Sequence, residues 1–255
     1  MTRLLTALLL VLAAPLFAED SALRALGTLD ASRGWEGVGR LDVDRGGFCT
    51  ASLIEERLIL TAAHCVFDDD GTPIPPERFG FAAGLRNGRA LASRDVVRVT
   101  THPDYVHAAN RPQASAVAVD LAVLELDRPI RQGSIAPFQL ASEPERGALV
   151  GVVSYAKGRS NAPSLQEVCE VLARDTGVVV MSCDADFGAS GAPVFWMSGG
   201  VARIVSVISA KGTAGDRSVS LGTSLSAPLQ ALLRAHADGS AIARRDSVGA
   251  RFVRP

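Results

Sequence analysis

The chain has 255 residues, of which 47% are hydrophobic and 21% are charged, and its formal net charge is −1. This composition is typical of a globular protein with a sizeable core, and it excludes an intrinsically disordered chain. A net charge so close to neutral gives no reason to expect a nucleic acid as a partner.

The segment 1–18 has the features of a secretory signal peptide. Arg3 precedes an apolar run over residues 4–14, and small residues then lead to a cleavage site after Ala18. A membrane-spanning helix is the alternative, but Pro15 interrupts the run, which is shorter than the roughly 20 apolar residues that a span needs. The sequence therefore predicts a secreted or periplasmic protein without a stable membrane anchor.

The chain contains four cysteines, which are Cys49, Cys65, Cys169 and Cys183. In an exported protein an even number of cysteines favours disulfides over metal binding. No C-x-x-C pair occurs and the histidines are scattered, so we predict no metal site, and nothing in the sequence points to a cofactor. Sequence alone permits several pairings, of which we expect Cys49–Cys65 and Cys169–Cys183.

Short β-like runs separated by turn residues predict an all-β fold of the sandwich or barrel type. The predicted strands are Gly37–Val43, Ala51–Ile54, Arg57–Ala62, Asp95–Thr100, Leu121–Leu126, Val150–Ser154, Gly177–Ser182, Ala192–Trp196 and Ala202–Ser209. A polar segment over 128–147, punctuated by proline and glycine, is the expected boundary between two β halves. The first half covers about 35–130 and the second about 148–225.

One helix is predicted after the second half, over about 226–237. Ser226 can cap this helix, Pro228 suits its first turn, and leucines form an apolar stripe along it. The remaining residues, 238–255, carry several arginines. We expect them to form a solvated, mobile tail, and a contact with an anionic surface is the alternative.

Three residues in separate parts of the chain form a pattern that suggests an activated nucleophile. His64 follows a predicted strand, Asp120 opens another, and Ser190 stands among small residues in the run Gly188–Pro193. A serine hydroxyl is a weak nucleophile that needs a base whose pKa is close to neutral, and histidine is such a base. A carboxylate at the start of a buried strand needs a partner, which His64 supplies.

Other acidic residues fit this role less well. Asp104 has the surroundings of a surface turn, and Asp127 ends a strand and begins a loop. The acidic run Asp68–Gly71 resembles a calcium loop, but Val66 stands where the first acidic ligand should be, so we predict a solvated turn. We assign no role to the remaining histidines, which are His102, His107 and His236.

Four motifs occur in one order along the chain: Phe48–Ile54, Leu60–Cys65, Asp120–Leu124 and Gly188–Pro193. On these motifs the chain resembles the trypsin-like serine proteases of the chymotrypsin fold, over about 35–236. Its details are more similar to the bacterial secreted branch, which includes the glutamyl-endopeptidase-like enzymes, than to digestive trypsins. The resemblance implies two six-stranded antiparallel β-barrels packed together, with a short C-terminal helix and with the site in the cleft between the barrels.

The resemblance also implies a role for each motif residue. Ser190 would attack the scissile carbonyl, His64 would accept the serine proton, and Asp120 would hold the imidazole in the required tautomer. The backbone N–H groups of Gly188 and Ser190 would form the oxyanion hole. The implied function is that of a monomeric secreted endopeptidase acting on protein or peptide substrates.

Two features depart from the family pattern. Ala189 stands where digestive trypsins carry an aspartate that pairs with a newly freed N-terminus, so we predict that no such insertion occurs here. The specificity pocket is predicted from Asp184, Ser209 and Lys211. Asp184 lies six residues before Ser190, the offset at which trypsins bind arginine or lysine, which favours a basic residue on the acyl side of the cut. Lys211 could neutralise this acid or could itself attract an acidic side chain.

Two other functions compete with proteolysis. A protease-fold protein that binds without cutting would normally lose a member of the triad, whereas His64, Asp120 and Ser190 are all present. An esterase or lipase of the α/β-hydrolase type would use the same chemistry, but its histidine comes last along the chain, and here the histidine comes first.

Overall fold

Antiparallel β-strands make up most of the fold, which a computed structural model describes for residues 21–44, 46–107, 114–142 and 144–245. The strands are β1 (Arg24–Ala25), β2 (Val38–Val43), β3 (Phe48–Glu55), β4 (Leu58–Thr61), β5 (Phe79–Ala83), β6 (Ala92–Thr101), β7 (Ala122–Leu126), β8 (Gln139–Leu140), β9 (Leu149–Ala156), β10 (Arg159–Asp175), β11 (Val178–Met181), β12 (Pro193–Ser198), β13 (Val201–Ala214), β14 (Arg217–Ser224) and β15 (Ala243–Arg244). The helices are α1 (Ala114–Val117) and α2 (Ala227–Ala237), with short 3₁₀ turns at Ala63–Val66 and Pro76–Arg78.

The first six-stranded ring has the strand order β6-β5-β2-β3-β4-β7 and closes where β6 pairs with β7. Strand β6 serves both edges of the ring: Ala92–Asp95 pairs with β5, and the part from Val96 to Thr101 pairs with β7 beyond an irregularity in register. Alternate side chains of β5, such as Phe79 and Phe81, point into the core, as expected for strands with one buried face.

The second ring has the order β10-β11-β14-β13-β12-β9 and closes where β9 pairs with β10. Short strands extend this sheet, because β1 pairs with β10 and β8 runs parallel to β13. Its interior is filled by buried aliphatic residues and the sulfur-bearing side chains Met181, Cys169 and Cys183. The prediction of an all-β fold with two six-stranded antiparallel barrels and a C-terminal helix is confirmed.

A separate cluster of buried side chains joins the two barrels. Leu60 and Leu121 come from the first barrel, Val153 and Phe195 come from the second, and all four belong to one apolar cluster. Tyr155 is fully buried in the same cluster, and its hydroxyl donates a hydrogen bond of 2.9 Å to the backbone carbonyl of Leu85. The seam between the barrels is therefore packed like a protein core. This packing fixes the positions of side chains from one barrel relative to those from the other.

Both expected disulfides form. Cys49 on β3 bonds to Cys65 in the 3₁₀ turn that follows β4, and Cys169 on β10 bonds to Cys183 beyond β11. Each bond closes a loop, with 16 residues of separation in the first case and 14 in the second. Such cross-links restrict the unfolded chain and stabilise the fold by roughly 3 kcal/mol each in the chain-entropy model.

The two ends of the described chain are paired with the barrels. Near the N-terminus, β1 pairs with β10 and is followed by the fully buried Leu26. At the other end, α2 begins after Ser226 with proline in its first turn, close to the predicted helix. The predicted signal peptide, 1–18, lies outside the described residues. No helix in the described part of the chain is long and apolar enough to cross a membrane.

The first part of the predicted mobile tail is docked on the N-terminal barrel. Strand β15 pairs with β6, and the N–H of Ile242 donates to the carbonyl of Val99 at 3.0 Å. The Arg98 guanidinium donates to the backbone carbonyl of His236 at 3.0 Å at the end of α2. This docking arises because β6 offers unpaired backbone groups that a following segment can satisfy. Residues 246–255 of the tail lie outside the described residues.

Candidate functional site

His64 lies in the short 3₁₀ turn that follows β4, at the edge of the N-terminal barrel. The turn is anchored on both sides of the histidine, because Ala63 is buried and Cys65 is bonded to Cys49 on β3. About a third of the His64 side chain, 31%, remains exposed. The backbone of His64 is therefore fixed, while one edge of the imidazole ring is accessible from the cleft.

Asp120 is buried two residues before β7 begins, and its carboxylate accepts three hydrogen bonds. The backbone N–H of His64 donates to Oδ1 at 2.8 Å, and Nδ1 of the same residue lies 2.7 Å from Oδ2. The hydroxyl of Ser209, on β13 of the C-terminal barrel, donates to Oδ2 at 2.5 Å. The other candidate acids are elsewhere: Asp104 is exposed, and Asp127 accepts a hydrogen bond from the backbone of β6.

The Asp120–His64 pair shifts the pKa values of both groups in favour of their charged forms. Burial by itself lowers the pKa of His64, but the Asp120 charge and the hydrogen bond to it outweigh burial and raise the pKa above its usual value. Burial by itself raises the pKa of Asp120, and the opposing effects of His64 and the Ser209 hydroxyl keep it below its usual value. The pair is thus built to hold a carboxylate beside an imidazole that can take up a proton.

Ser190 stands at the turn that leads into β12, and its backbone is fixed to both barrels. Its carbonyl accepts the N–H of Thr50 on β3 at 2.9 Å, and the next N–H, of Gly191, donates to the carbonyl of Ile208 on β13 at 2.8 Å. Ser190 and His64 line one cleft of about 810 Å³. Within the described part of the chain the Ser190 hydroxyl makes no hydrogen bond, so the serine and the imidazole face the same space without being bonded to each other. Such bonds are often long in unliganded sites and tighten when a ligand binds.

Two backbone N–H groups next to Ser190 have no acceptor among the described residues: those of Gly188 and of Ser190 itself. Their neighbours in the loop are paired, since the N–H of Ala189 donates to the carbonyl of Asp186 at 2.8 Å. Gly188 has a φ of 95°, and a Cβ at this position would lie 2.4 Å from the ring of Phe48. Glycine is therefore required for this backbone path, which leaves two free donors beside the serine hydroxyl.

A smaller cavity of about 320 Å³ also adjoins Ser190. Its lining consists of Ala185, Asp186, Phe187, Ser190, Ile208, Ser209, Ala210 and Lys211. Of the predicted pocket residues, Ser209 and Lys211 therefore contribute to the cavity. Asp184 is exposed and is not among the residues that line it. The charged side chains at the cavity are those of Asp186 and Lys211, one of each sign.

Two features of the site could not be assigned from the sequence. The sequence predicts Ser209 only as part of the pocket wall, whereas its hydroxyl also donates to the carboxylate of Asp120. The sequence assigns no role to Thr50, which belongs to the motif Phe48–Ile54. In the structure it donates hydrogen bonds to the carbonyls of Gly188 and Ser190. Ser209 is a polar residue in the predicted wall strand, which is a signal for the first feature. Thr50 carries one of two hydroxyls in the motif Phe48–Ile54, which is a weaker signal for the second.

Among the described residues, two places resemble metal sites: the cluster of Cys49, His64 and Cys65, and the acidic turn that begins at Asp68. The ligand atoms of Cys49, His64 and Cys65 lie within 4.8 Å of one another, but the two sulfurs are joined in a disulfide and provide no thiolate. In the acidic turn, Asp68 pairs with Arg78 at 3.4 Å, and Asp70 accepts the backbone N–H of Thr72 at 2.9 Å. The second arrangement is that of a turn closed by its own side chains.

Comparison with protein families gives a match to the trypsin-like peptidase domain over residues 47–202. This region contains His64, Asp120 and Ser190 together with both disulfides. Among solved structures, a structure of Glu endopeptidase has a TM-score of 0.68 at 18% sequence identity, covering 86% of this chain and 98% of that one. At this level of identity the likeness concerns the fold.

Curated relatives match over shorter regions. The serine protease Hayan of Drosophila melanogaster is 35% identical over 88 residues, which are 34% of this chain and 12% of that protein. Coagulation factor IX of Cavia porcellus is 28% identical over 132 residues, which are 49% of this chain and 41% of that protein. The chain thus spans less than half the length of the curated relatives that it matches.

A titration of His64 followed by NMR tests the electrostatics of the pair. We expect a pKa above the usual value of about 6.5 in the wild type. In Asp120→Asn we expect a pKa below that value, because burial remains and the opposing charge is gone. Because folding raises this pKa, His64 stabilises the wild type fully below about pH 6.5, and its contribution is lost as the pH rises through the folded-state pKa.

The exposed Asp104 provides a matched control for this titration. Asp104→Asn removes a carboxylate of the same kind outside the pair and should leave the pKa of His64 unchanged. An equal pKa of His64 in the wild type and in Asp120→Asn would contradict the described pairing.

Proposed function

The chain belongs to the trypsin-like peptidase family, and from that premise we propose that it is a secreted serine endopeptidase. It hydrolyses peptide bonds through His64, Asp120 and Ser190 by way of an acyl-enzyme intermediate. One observation supports this most strongly: a buried carboxylate orients an accessible imidazole towards the cleft that holds a serine hydroxyl and two free backbone N–H groups.

In the acylation step, the Ser190 Oγ adds to the scissile carbonyl carbon while Nε2 of His64 takes the hydroxyl proton. Asp120 keeps Nδ1 protonated and stabilises the imidazolium, as its 2.7 Å contact with Nδ1 allows. The C–N bond then breaks, and the imidazolium gives its proton to the leaving amine. A water molecule then attacks the acyl-enzyme by the same steps, which releases the carboxylic acid and restores the serine.

The tetrahedral intermediate carries a negative oxygen, which the free N–H groups of Gly188 and Ser190 are placed to bind. Removing one such donor typically costs about 3 kcal/mol of transition-state stabilisation. Every group needed for these reaction steps comes from the chain itself and from water.

The two disulfides support export to an oxidising compartment, which is either the periplasm or the exterior of the cell. We propose that the enzyme acts as a monomer on protein or peptide substrates.

A protein of the same fold that binds peptides without cutting them is the second candidate. The observation that favours it is the lack of a hydrogen bond between the Ser190 hydroxyl and the imidazole. Against it, the carboxylate, the imidazole and the serine all remain, and the glycine that leaves the N–H donors free is kept. Covalent labelling separates the two candidates, because binding alone does not make the serine reactive.

Labelling with a fluorophosphonate tests the role of Ser190. We expect stoichiometric labelling of the wild type and none of Ser190→Ala, and we expect kcat on a cleaved peptide to fall about a millionfold. Ser93→Ala, which removes an exposed serine on β6, is the matched control and should label like the wild type. Equal labelling of the wild type and Ser190→Ala would reject the assignment, and so would no labelling of either.

A peptide library tests which side chain the smaller cavity accepts. The sequence predicts cleavage after arginine or lysine, and cleavage mainly after glutamate would reject that prediction. If the preference is for basic residues, Asp186→Asn should reduce kcat/KM on such peptides. Lys211→Met should increase kcat/KM on the same peptides, because it removes a like charge from the cavity. Each change should amount to no more than about fivefold, since exposed ion pairs contribute up to ~1 kcal/mol.

A further inference from the structure

The loop that carries the two free N–H groups contains a glycine with a positive φ, so its conformation needs support from outside. Gly188 has no Cβ that would restrict its dihedral angles, and a peptide next to glycine can turn at little cost. Ala189 offers no charged side chain that could anchor the loop. Contacts from other parts of the fold must therefore keep both N–H groups directed at the cleft.

We propose that the hydroxyl of Thr50 is the positioning group that holds residues 187–190, the oxyanion loop, in their active conformation. This inference rests on the proposed function, because it assigns a role within the same site. Thr50 lies on β3 of the N-terminal barrel and is fully buried. It touches the loop of the C-terminal barrel at two carbonyl groups, one on each side of Ala189.

The hydroxyl of Thr50 is used both as donor and as acceptor. Its Oγ1 donates to the carbonyl of Gly188 at 2.9 Å and accepts the backbone N–H of Tyr155, on β9, at 3.0 Å. The main chain of Thr50 adds a second link, because its N–H donates to the carbonyl of Ser190 at 2.9 Å. Its own carbonyl accepts the hydroxyl of Thr61 at 2.8 Å. All polar groups of this buried residue are therefore paired.

The remaining peptide of the loop is fixed from the opposite side. The N–H of Gly188 belongs to the peptide whose carbonyl is that of Phe187, and this carbonyl accepts the backbone N–H of Lys157 at 2.7 Å. In a trans peptide the C=O and N–H groups point in opposite directions. The bond from Lys157 therefore turns the Gly188 N–H away from the β9–β10 connection. Thr50 then prevents the next peptide from rotating.

Close packing leaves the loop little freedom to move aside. The ring of Phe48 lies against Gly188, and a Cβ on Gly191 would be 2.0 Å from Oγ1 of Thr61. Without the Thr50 hydroxyl, the Gly188 carbonyl would lose its donor and the Tyr155 N–H its acceptor. The loop would then lose the contact that ties the Gly188–Ala189 peptide to β3. The contacts of Thr50 and of the Lys157 backbone with the loop are made by neutral groups, one from each barrel.

Kinetics of Thr50 variants test this proposal, with the best peptide from the library as substrate. In Thr50→Val, which keeps the branched shape, we expect kcat to fall about tenfold to a hundredfold, in line with the cost of a misplaced catalytic group. We expect KM to stay within about twofold, because the hydroxyl positions N–H groups that bind the oxyanion, and the oxyanion is absent from the ground state. Thr50→Ser restores the hydroxyl and should recover most of kcat.

Ser206→Ala is the matched control. The Ser206 hydroxyl is also fully buried and donates to a backbone carbonyl, that of Thr223, at 2.8 Å. This variant loses a comparable hydrogen bond away from the oxyanion loop and should keep the wild-type kcat. A comparable fall of kcat in both variants would show a general loss of packing and overturn the proposal.

The remaining outcomes are also decisive. A wild-type kcat in Thr50→Val, or no recovery in Thr50→Ser, would overturn the positioning role while leaving the peptidase assignment intact. If neither Thr50→Val nor Thr50→Ala folds where Ser206→Ala does, Thr50 is needed for folding, and the proposal is also overturned. A wild type that neither cleaves peptides nor takes up label rejects the proposed function, and this inference with it.

Discussion

The arrangement of this molecule depends on one buried carboxylate at the seam between two barrels. Asp120 binds the backbone and side chain of His64 from its own barrel and the hydroxyl of Ser209 from the other. A carboxylate removed from water is destabilising unless hydrogen bonds and an opposite charge compensate. These three contacts satisfy that requirement and also fix the imidazole. Asp120 therefore couples the packing of the two barrels to the orientation of the His64 imidazole.

On the serine side of the cleft, hydrogen bonds from both barrels also fix the site, but here the bonding groups are neutral. Backbone and hydroxyl donors from β3 and from the β9–β10 connection bind the carbonyls of Phe187, Gly188 and Ser190 in the loop. Two N–H groups of the loop have no acceptor among the described residues, while the carbonyls of their own peptides accept other hydrogen bonds. Neutral hydrogen bonds of this kind do not depend on pH, whereas the state of His64 does. The contacts that Thr50 and the Lys157 backbone make with the loop should thus persist across the pH range over which the imidazole titrates.

Much of the site was predictable because it is encoded in short motifs. His64, Asp120 and Ser190 stand out by their immediate neighbours, and alternating apolar residues separated by turns indicated the β architecture. The contacts of Thr50 were not predictable, because its partners Gly188 and Tyr155 lie 138 and 105 positions further along the chain. The docking of β15 on β6 likewise depends on a strand edge that only the folded barrel presents. The cavity beside Ser190 is lined by Asp186 and not by Asp184, because lining depends on the path of a loop and not on an offset from the serine.

A crystal structure of the protein after reaction with a fluorophosphonate tests the central claim most directly. We expect a single covalent bond from phosphorus to the Ser190 Oγ, with the phosphoryl oxygen about 2.7–3.1 Å from the N–H groups of both Gly188 and Ser190. His64 should still bond to Asp120 through Nδ1, with Nε2 facing the adduct. An adduct on another residue, or a phosphoryl oxygen turned towards solvent with the imidazole out of reach, would contradict the proposed mechanism.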